Sequence, residues 1–288
     1  MVSSSSHGTG AARDQRTADR FAASWNDVYD ASVYTSEQFL DWIAPWDESV
    51  VHGRSVLELG CGSGALLVHM TALGPSRLAG IDLGASIDRA RGLLDGTAAE
   101  IHQMDLTDAA AIEARLGRFD LVYSIGVLHH LKDPERGVAS LLALPRPGGR
   151  FHGWVYAHEG NAVVRWLVDP IRVIASRLPW RVTKWGVAFP LTVPFFLISK
   201  TLGALGRAGI RLPLPLWNYT QWISKREFRF HHHVAFDQLV TPVTSYICRN
   251  RVESWLLDPR VEPGTTYVIL RNGNGWKFGG RIRAEVAE

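Results

Sequence analysis

Apolar positions in the first half of the chain form short continuous runs, separated by longer stretches of helical spacing. The runs over 55–59, 77–82, 100–103, 119–124 and 149–156 have the length and content of buried strands. Between them, 63–73, 85–94, 108–116 and 134–144 carry apolar residues three and four apart, which predicts helices. This alternation implies an α/β fold with a doubly wound, mostly parallel sheet. Ahead of it, Phe21, Trp25 and Tyr29, then Phe39 and Trp42, recur at helical spacing and predict two short helices. The rhythm breaks at Asn161 and stays irregular to about Phe230, in a stretch rich in Trp, Pro, Leu and Arg. It resumes with a helix expected over 244–257 and a strand over 265–271. The turn Asn272-Gly273-Asn274-Gly275 then leads into a returning strand over 276–283. The organisation read from this is a disordered tail over 1–19, a core over 20–160, an inserted lid over 161–230 and a completion of the core over 231–288.

Composition narrows the class only a little. The 288 residues are 46% apolar and 20% charged, as in an ordinary globular protein. A net charge of +3 gives no footprint for nucleic acid. Cys61 and Cys248 stand in no metal or disulfide pattern, and no apolar core follows a basic start, so a cytoplasmic setting is expected. The apolar stretch 186–205 is interrupted by Pro190, Pro194 and Lys200, which argues against a spanning helix and leaves association with a membrane surface open. Oligomeric state is left open, a homodimer included.

The chemistry centres on Glu58-Leu59-Gly60-Cys61-Gly62-Ser63-Gly64. Alternate glycines after a strand let the backbone turn tightly and lie against a ligand. Asp82, at the end of the second strand, is placed to accept ribose hydroxyls or to cap a helix. Asp105, after the third, can take an adenine amino group or cap the next helix, with Met104 or Leu106 packing on the ring. Glu58 can bond its own loop or a ligand ammonium.

These motifs resemble the class I S-adenosylmethionine-dependent methyltransferases, in particular the ubiquinone-type and natural-product subgroup. Glu58, Gly60, Gly62 and Gly64 match the family's acid and glycine loop, and Asp82 and Asp105 its two later acids. Phe119 to Leu131, with its Leu-His-His-Leu turn, looks like its fourth motif, and Leu144 to Arg150 like its turn into strand five. The resemblance implies a seven-stranded Rossmann-like sheet and S-adenosylmethionine as cofactor. It implies cofactor contacts from Glu58, Gly60, Gly62, Asp82, Asp105 and Ser124 or Ile125, and Cys61, Gly64, Leu83, Met104 and Leu106 beside them are expected to join the same site.

A sulfonium methyl is already activated, so such a protein needs proximity, in-line aim and often a base. His129, after strand four, is the favoured base, with His158 and Glu159 after strand five as partners. In methyltransferases similar to this one, the first His of such a pair can take the acceptor's proton. Acceptor contacts are expected from Tyr29, Tyr156, Trp217, Tyr219 and His232. His231 and His233 would share a face if they lay on a strand, but nothing nearby completes a metal set, so none is expected. The reading is O-methylation of a small molecule such as a saccharide or secondary metabolite. C- or N-methylation of a hydrophobic or lipid-linked acceptor is the first alternative. The spacing of the glycines argues against a nicotinamide-dependent dehydrogenase, the second.

Overall fold

The protein was analysed as a computed structural model that describes residues 34–284. Tyr29, the tail over 1–19 and the first expected helix lie outside these residues. Strands β1 (Ser55–Leu59), β2 (Arg77–Asp82), β3 (Ala99–Gln103), β4 (Phe119–Ile125), β5 (Pro145–Tyr156), β6 (Tyr267–Arg271) and β7 (Gly275–Arg281) form one sheet in the order β3-β2-β1-β4-β5-β7-β6. All neighbours run parallel except β7, which is antiparallel to both β5 and β6. The expected sheet and its closing hairpin are therefore present. Strand order reverses between β1 and β4, where doubly wound sheets open a crevice at their carboxyl ends.

Alternation along β1 builds a core on each face. Leu57 and Leu59 pack with Val122, Phe151 and Phe278, under helices α5 (Ala109–Leu116) and α6 (Pro134–Ala143). Val56 packs on the other face with Leu121, Tyr123 and Ile125, under α1 (Ser36–Ile43), α3 (Ala65–Thr71) and α4 (Ile87–Leu93). A short helix, α2 (Glu48–Val51), leads into β1. His152 secures α1 to the sheet. Its Nε2 donates to the Trp42 carbonyl at 2.9 Å, which leaves Nδ1 to accept from the Tyr267 hydroxyl at 2.6 Å.

The insertion is helical. It contains α7 (Asp169–Ala175), a 28-residue helical run α8 (Trp180–Arg207), α9 (Trp217–Ile223) and α10 (Phe228–Val240). Helix α10 runs across Phe230, where the sequence reading closed the insertion. Its Phe236, Leu239 and Val240 pack with Ala175 and Ala188, so the bundle continues to Val240. The helix expected over 244–257 is shorter, α11 (Arg249–Trp255). The preceding stretch instead bridges to the end of β5, at Ala157 and Ile247.

His231, His232 and His233 lie on α10, not on a strand. Consecutive helical positions diverge by about 100°, and each ring has its own partner. His231 meets the Ser199 hydroxyl at 2.7 Å, His232 the Lys184 carbonyl at 3.0 Å and His233 the Tyr34 hydroxyl at 3.0 Å. The strand premise of the metal reading is thus corrected. Among the described residues no cluster of His, Cys, Asp or Glu could hold a metal ion.

The chain enters the insertion through Gly160, at φ +76°, where a Cβ would overlap the Gly273 carbonyl oxygen. Gly160→Ala is expected to cost on the order of 3 kcal/mol, from left-handed strain plus a backbone clash. Urea unfolding would measure it, and a midpoint equal to that of the unmutated chain would contradict this packing.

Candidate active site

The glycine loop is held from below by β2. The amides of Gly60 and Cys61 donate to the Ile81 carbonyl at 2.8 and 2.9 Å. The Asp82 carboxylate accepts from the Gly62 amide at 2.9 Å and from the Gly84 amide at 2.8 Å. Gly60 has φ +83°, and a Cβ there would lie 2.6 Å from a Val127 methyl, so the loop can sit this close to the turn after β4 only as glycine.

One cavity opens over this loop and continues beneath the insertion. Glu58, Gly60, Cys61, Gly62, Asp82, Leu83, Asp105, Leu106 and Ile125, all expected from sequence to contact the cofactor, line its first half. Three expected contacts lie behind the wall. Gly64 caps α3. Met104 packs on the core. The fully buried Ser124 donates to the Leu59 carbonyl at 2.8 Å, tying β4 to β1. Asp105 lines the cavity and also closes a local turn, accepting from the Thr107 amide and hydroxyl, both at 2.8 Å.

Glu58 is buried, and the Tyr123 hydroxyl donates to it at 3.0 Å. Burial pushes its carboxyl up to about 8. The Tyr123 bond works against that rise, and the nearby Asp82 charge adds to it. Burial also raises Asp82, opposed by its backbone amide donors.

The second half of the cavity is aromatic. Trp42, Trp154 and Tyr156 come from the core, and Tyr219, Trp222, Phe230 and His233 from the insertion. Of the acceptor contacts expected from sequence, Tyr156 and Tyr219 reach it. Trp217 and His232 do not, His232 being turned toward Lys184. Sequence reasoning missed Trp42, Trp154 and Arg271. The Arg271 guanidinium lies 5.3 Å over the Trp42 ring and 5.1 Å over Trp222 and pairs with Asp41, so its place depends on α1 and α9, two segments distant from β6.

The two histidines of the turn stand in different surroundings, and His129, the base expected from sequence, is the one away from the cavity. His129 is fully buried and does not line the cavity. Its ring lies 4.0 Å from Tyr156 and 4.1 Å from His130, and neither of its nitrogens has a hydrogen-bond partner among the described residues. His130 lines the cavity. Its Nδ1 lies 3.0 Å from the Val243 carbonyl, which can only accept, so Nδ1 carries the proton and Nε2 is the basic nitrogen. Burial holds His129 well below the usual imidazole range and lowers His130 to about 4. The expected catalytic partners also lie elsewhere. His158 is exposed. Glu159 accepts from the Arg249 amide at 2.9 Å and the Trp276 indole at 3.0 Å, so it braces the β5–β7 end.

With this geometry established, the chain can be set beside known proteins. Residues 57–151 match the model of a methyltransferase domain. An uncharacterised protein of Synechococcus sp. is 37% identical over 51% of this chain and 40% of its own length. A ubiquinone biosynthesis O-methyltransferase of Bordetella avium is 35% identical over 41% of this chain and 46% of its own. The chain thus spans less than half the length of these two relatives. An O-methyltransferase family protein from Burkholderia thailandensis shares the fold over 92% of this chain and 60% of its own, with 15% identity and a TM-score of 0.55. Residues 57–151 and the seven-stranded sheet around them therefore form a methyltransferase domain, and S-adenosylmethionine is the cofactor that such a domain takes.

The residues fit that cofactor. A raised, buried carboxyl at the glycine loop is suited to an ammonium group, which would favour its ionised form. Binding at pH 7 is therefore expected to release a proton from Glu58, since the ligand's cation lowers a pKa that starts near 8. Calorimetry in buffers of different ionisation enthalpy would detect it. A proton release unchanged in Glu58→Gln would assign it elsewhere.

Buried titrating groups also set the stability profile. Folding holds His130 near 4 and both His152 and His233 near 3, while the unfolded rings titrate near 6.5. Their stabilisation is present above 6.5 and lost as pH falls toward those folded values. Glu58 acts oppositely. Its stabilisation is complete below about 4.5 and lost as pH rises through 8. Stability should peak near pH 6.5. Below that, each imidazole takes about 1.4 kcal/mol per pH unit. Thermal melts at pH 5 and pH 6.5 with equal midpoints would refute this balance.

Proposed function

We propose that this chain transfers the methyl group of S-adenosylmethionine to a hydroxyl of a flat, largely apolar small molecule. The observation that carries the reading is the single cavity joining the glycine-loop half to the aromatic half. The cofactor supplies an activated methyl group. Glu58, Asp82 and Asp105 bind and orient it at the carboxyl ends of β1, β2 and after β3. Trp42, Trp154, Tyr156, Tyr219 and Trp222 hold the acceptor ring and exclude water. The likeness to ubiquinone biosynthesis O-methyltransferases supports oxygen as the acceptor atom.

His130 takes the role given to His129 from sequence. Its Nε2 is the acceptor nitrogen of a neutral imidazole and receives the hydroxyl proton as the oxygen attacks. His129 supports the site as a buried ring packed on Tyr156. Free Cys61 and Cys248 fit a cytoplasmic enzyme.

The test is a panel of phenolic and sugar acceptors with methyl-labelled S-adenosylmethionine, followed by product identification. An O-methyl product is expected, and label found only on carbon or nitrogen would overturn the reading. His130→Ala should lower turnover about 10²- to 10⁴-fold with cofactor affinity retained. His129→Ala should lower the melting temperature and spare the turnover of folded enzyme. Loss of turnover in His129→Ala alone would return the base to His129.

A further inference from the structure

The insertion is amphipathic in the wrong direction for a buried bundle. On α8 the inward face carries Ala188, Thr192, Ser199 and Gly203, all buried and spaced by fours and sevens. The outward face carries Val182, Trp185, Phe189, Val193 and Leu197, spaced by threes and fours and all exposed, with Leu191 and Ile198 beside them. In a water-soluble helix bundle the apolar stripe faces the core. The preceding helical stretch, residues 164–175 with α7 as its second part, repeats the inversion, with Trp166 82% exposed, Ile174 66% and Leu167 64%. Isolated exposed apolar residues are ordinary, but two helices that both turn their apolar stripe outward mark an interaction surface.

Charge indicates what meets this surface. Residues 161–230 contain eleven Lys or Arg and only two acids, Asp169 and Glu227, in a chain whose net charge is only +3. Exposed Arg177 and Arg181 stand at the start of α8, and exposed Arg207 and Arg211 at its end. An apolar face bounded by cations, with Trp among its exposed residues, complements the interface of an anionic bilayer. A spanning arrangement is disfavoured by the inward face. Ser199 is bonded to His231 at 2.7 Å, and the Lys200 ammonium donates to the carbonyls of Ser224 and Arg226 at 2.7 and 2.9 Å. Only 22% of the apolar window of α8 is buried, and those bonds fix its remaining side to the bundle.

We propose that the insertion is a monotopic seat, with the outward faces of α7 and α8 lying in the interface of an anionic membrane. Helix α8 packs on α10, and α9 and α10 line the acceptor half of the cavity through Tyr219, Trp222, Phe230 and His233. The seat therefore brings that half of the cavity to the lipid phase. The acceptor class that follows, resting on the methyl-transfer reading above, is a molecule with an apolar tail that partitions into the bilayer.

Flotation of the full chain with vesicles of phosphatidylcholine containing about one-third phosphatidylglycerol would test the seat. Binding is expected with these vesicles, with loss in high salt and about tenfold less with phosphatidylcholine alone. The double variant Trp166→Glu, Ile198→Glu lies outside the cavity. It should lose flotation while keeping calorimetric affinity for S-adenosylmethionine. No flotation of the unmutated chain would overturn the seat. So would sedimentation showing a dimer that the same variant dissolves, because a second copy would then cover the face. Flotation without cofactor binding would leave the seat standing and remove the methyl-transfer reading instead.

Discussion

The site depends on how closely the glycine loop can approach the end of β2. Two loop amides share the Ile81 carbonyl, and a third binds Asp82. Backbone donors thereby fix a carboxylate, and the carboxylate fixes the loop. The parallel register sets both in place, with Glu58 opposite Gly80 on one side and Tyr123 on the other. Moving β1 by one residue would turn Glu58 to the opposite face of the sheet. It would also part the carboxyl from the Tyr123 hydroxyl that supports it.

Electrostatics follow from the same compactness. Glu58, His129, His130, His152 and His233 are all drawn toward their neutral forms by burial. A cavity whose buried imidazoles are neutral suits a cationic cofactor, because the incoming charge meets a carboxyl ready to ionise and no competing imidazolium. The same burial makes His130 a weak base, so in the proposed reaction bond formation to the activated methyl has to drive the proton's departure.

The insertion combines two demands that usually conflict. Helix α10 presents Phe230, His233 and Asp237 to the cavity while His231 and His232 bond to α8. Arg172 ties the bundle to α10 and the following loop through Gln238 and the Tyr246 hydroxyl, at 2.5 to 3.2 Å. Using polar and small residues for these inward contacts leaves the apolar residues of α8 on the outside. This arrangement is stable in contact with lipid and exposed in water.

Much of the core was legible from residue order alone, because strand pairing and the glycine turn are local demands. The apolar runs ending in Leu59, Asp82 and Gln103 become strands with those same ends, and the Asn-Gly turn closes the last hairpin. The glycine-loop half of the cavity was legible for the same reason, since Glu58, Gly60, Gly62, Asp82 and Asp105 lie at strand ends whatever packs around them. The aromatic half was not. Trp42, Trp154, Trp222 and Arg271 meet only when α1, β5, α9 and β6 are folded together, and no local spacing encodes that meeting. Sequence placed two histidines in the turn after β4 and favoured His129, the first of them. Only the tertiary structure distinguishes their surroundings, because Tyr156 packs over the His129 ring while His130 stands at the cavity wall beside the Val243 carbonyl.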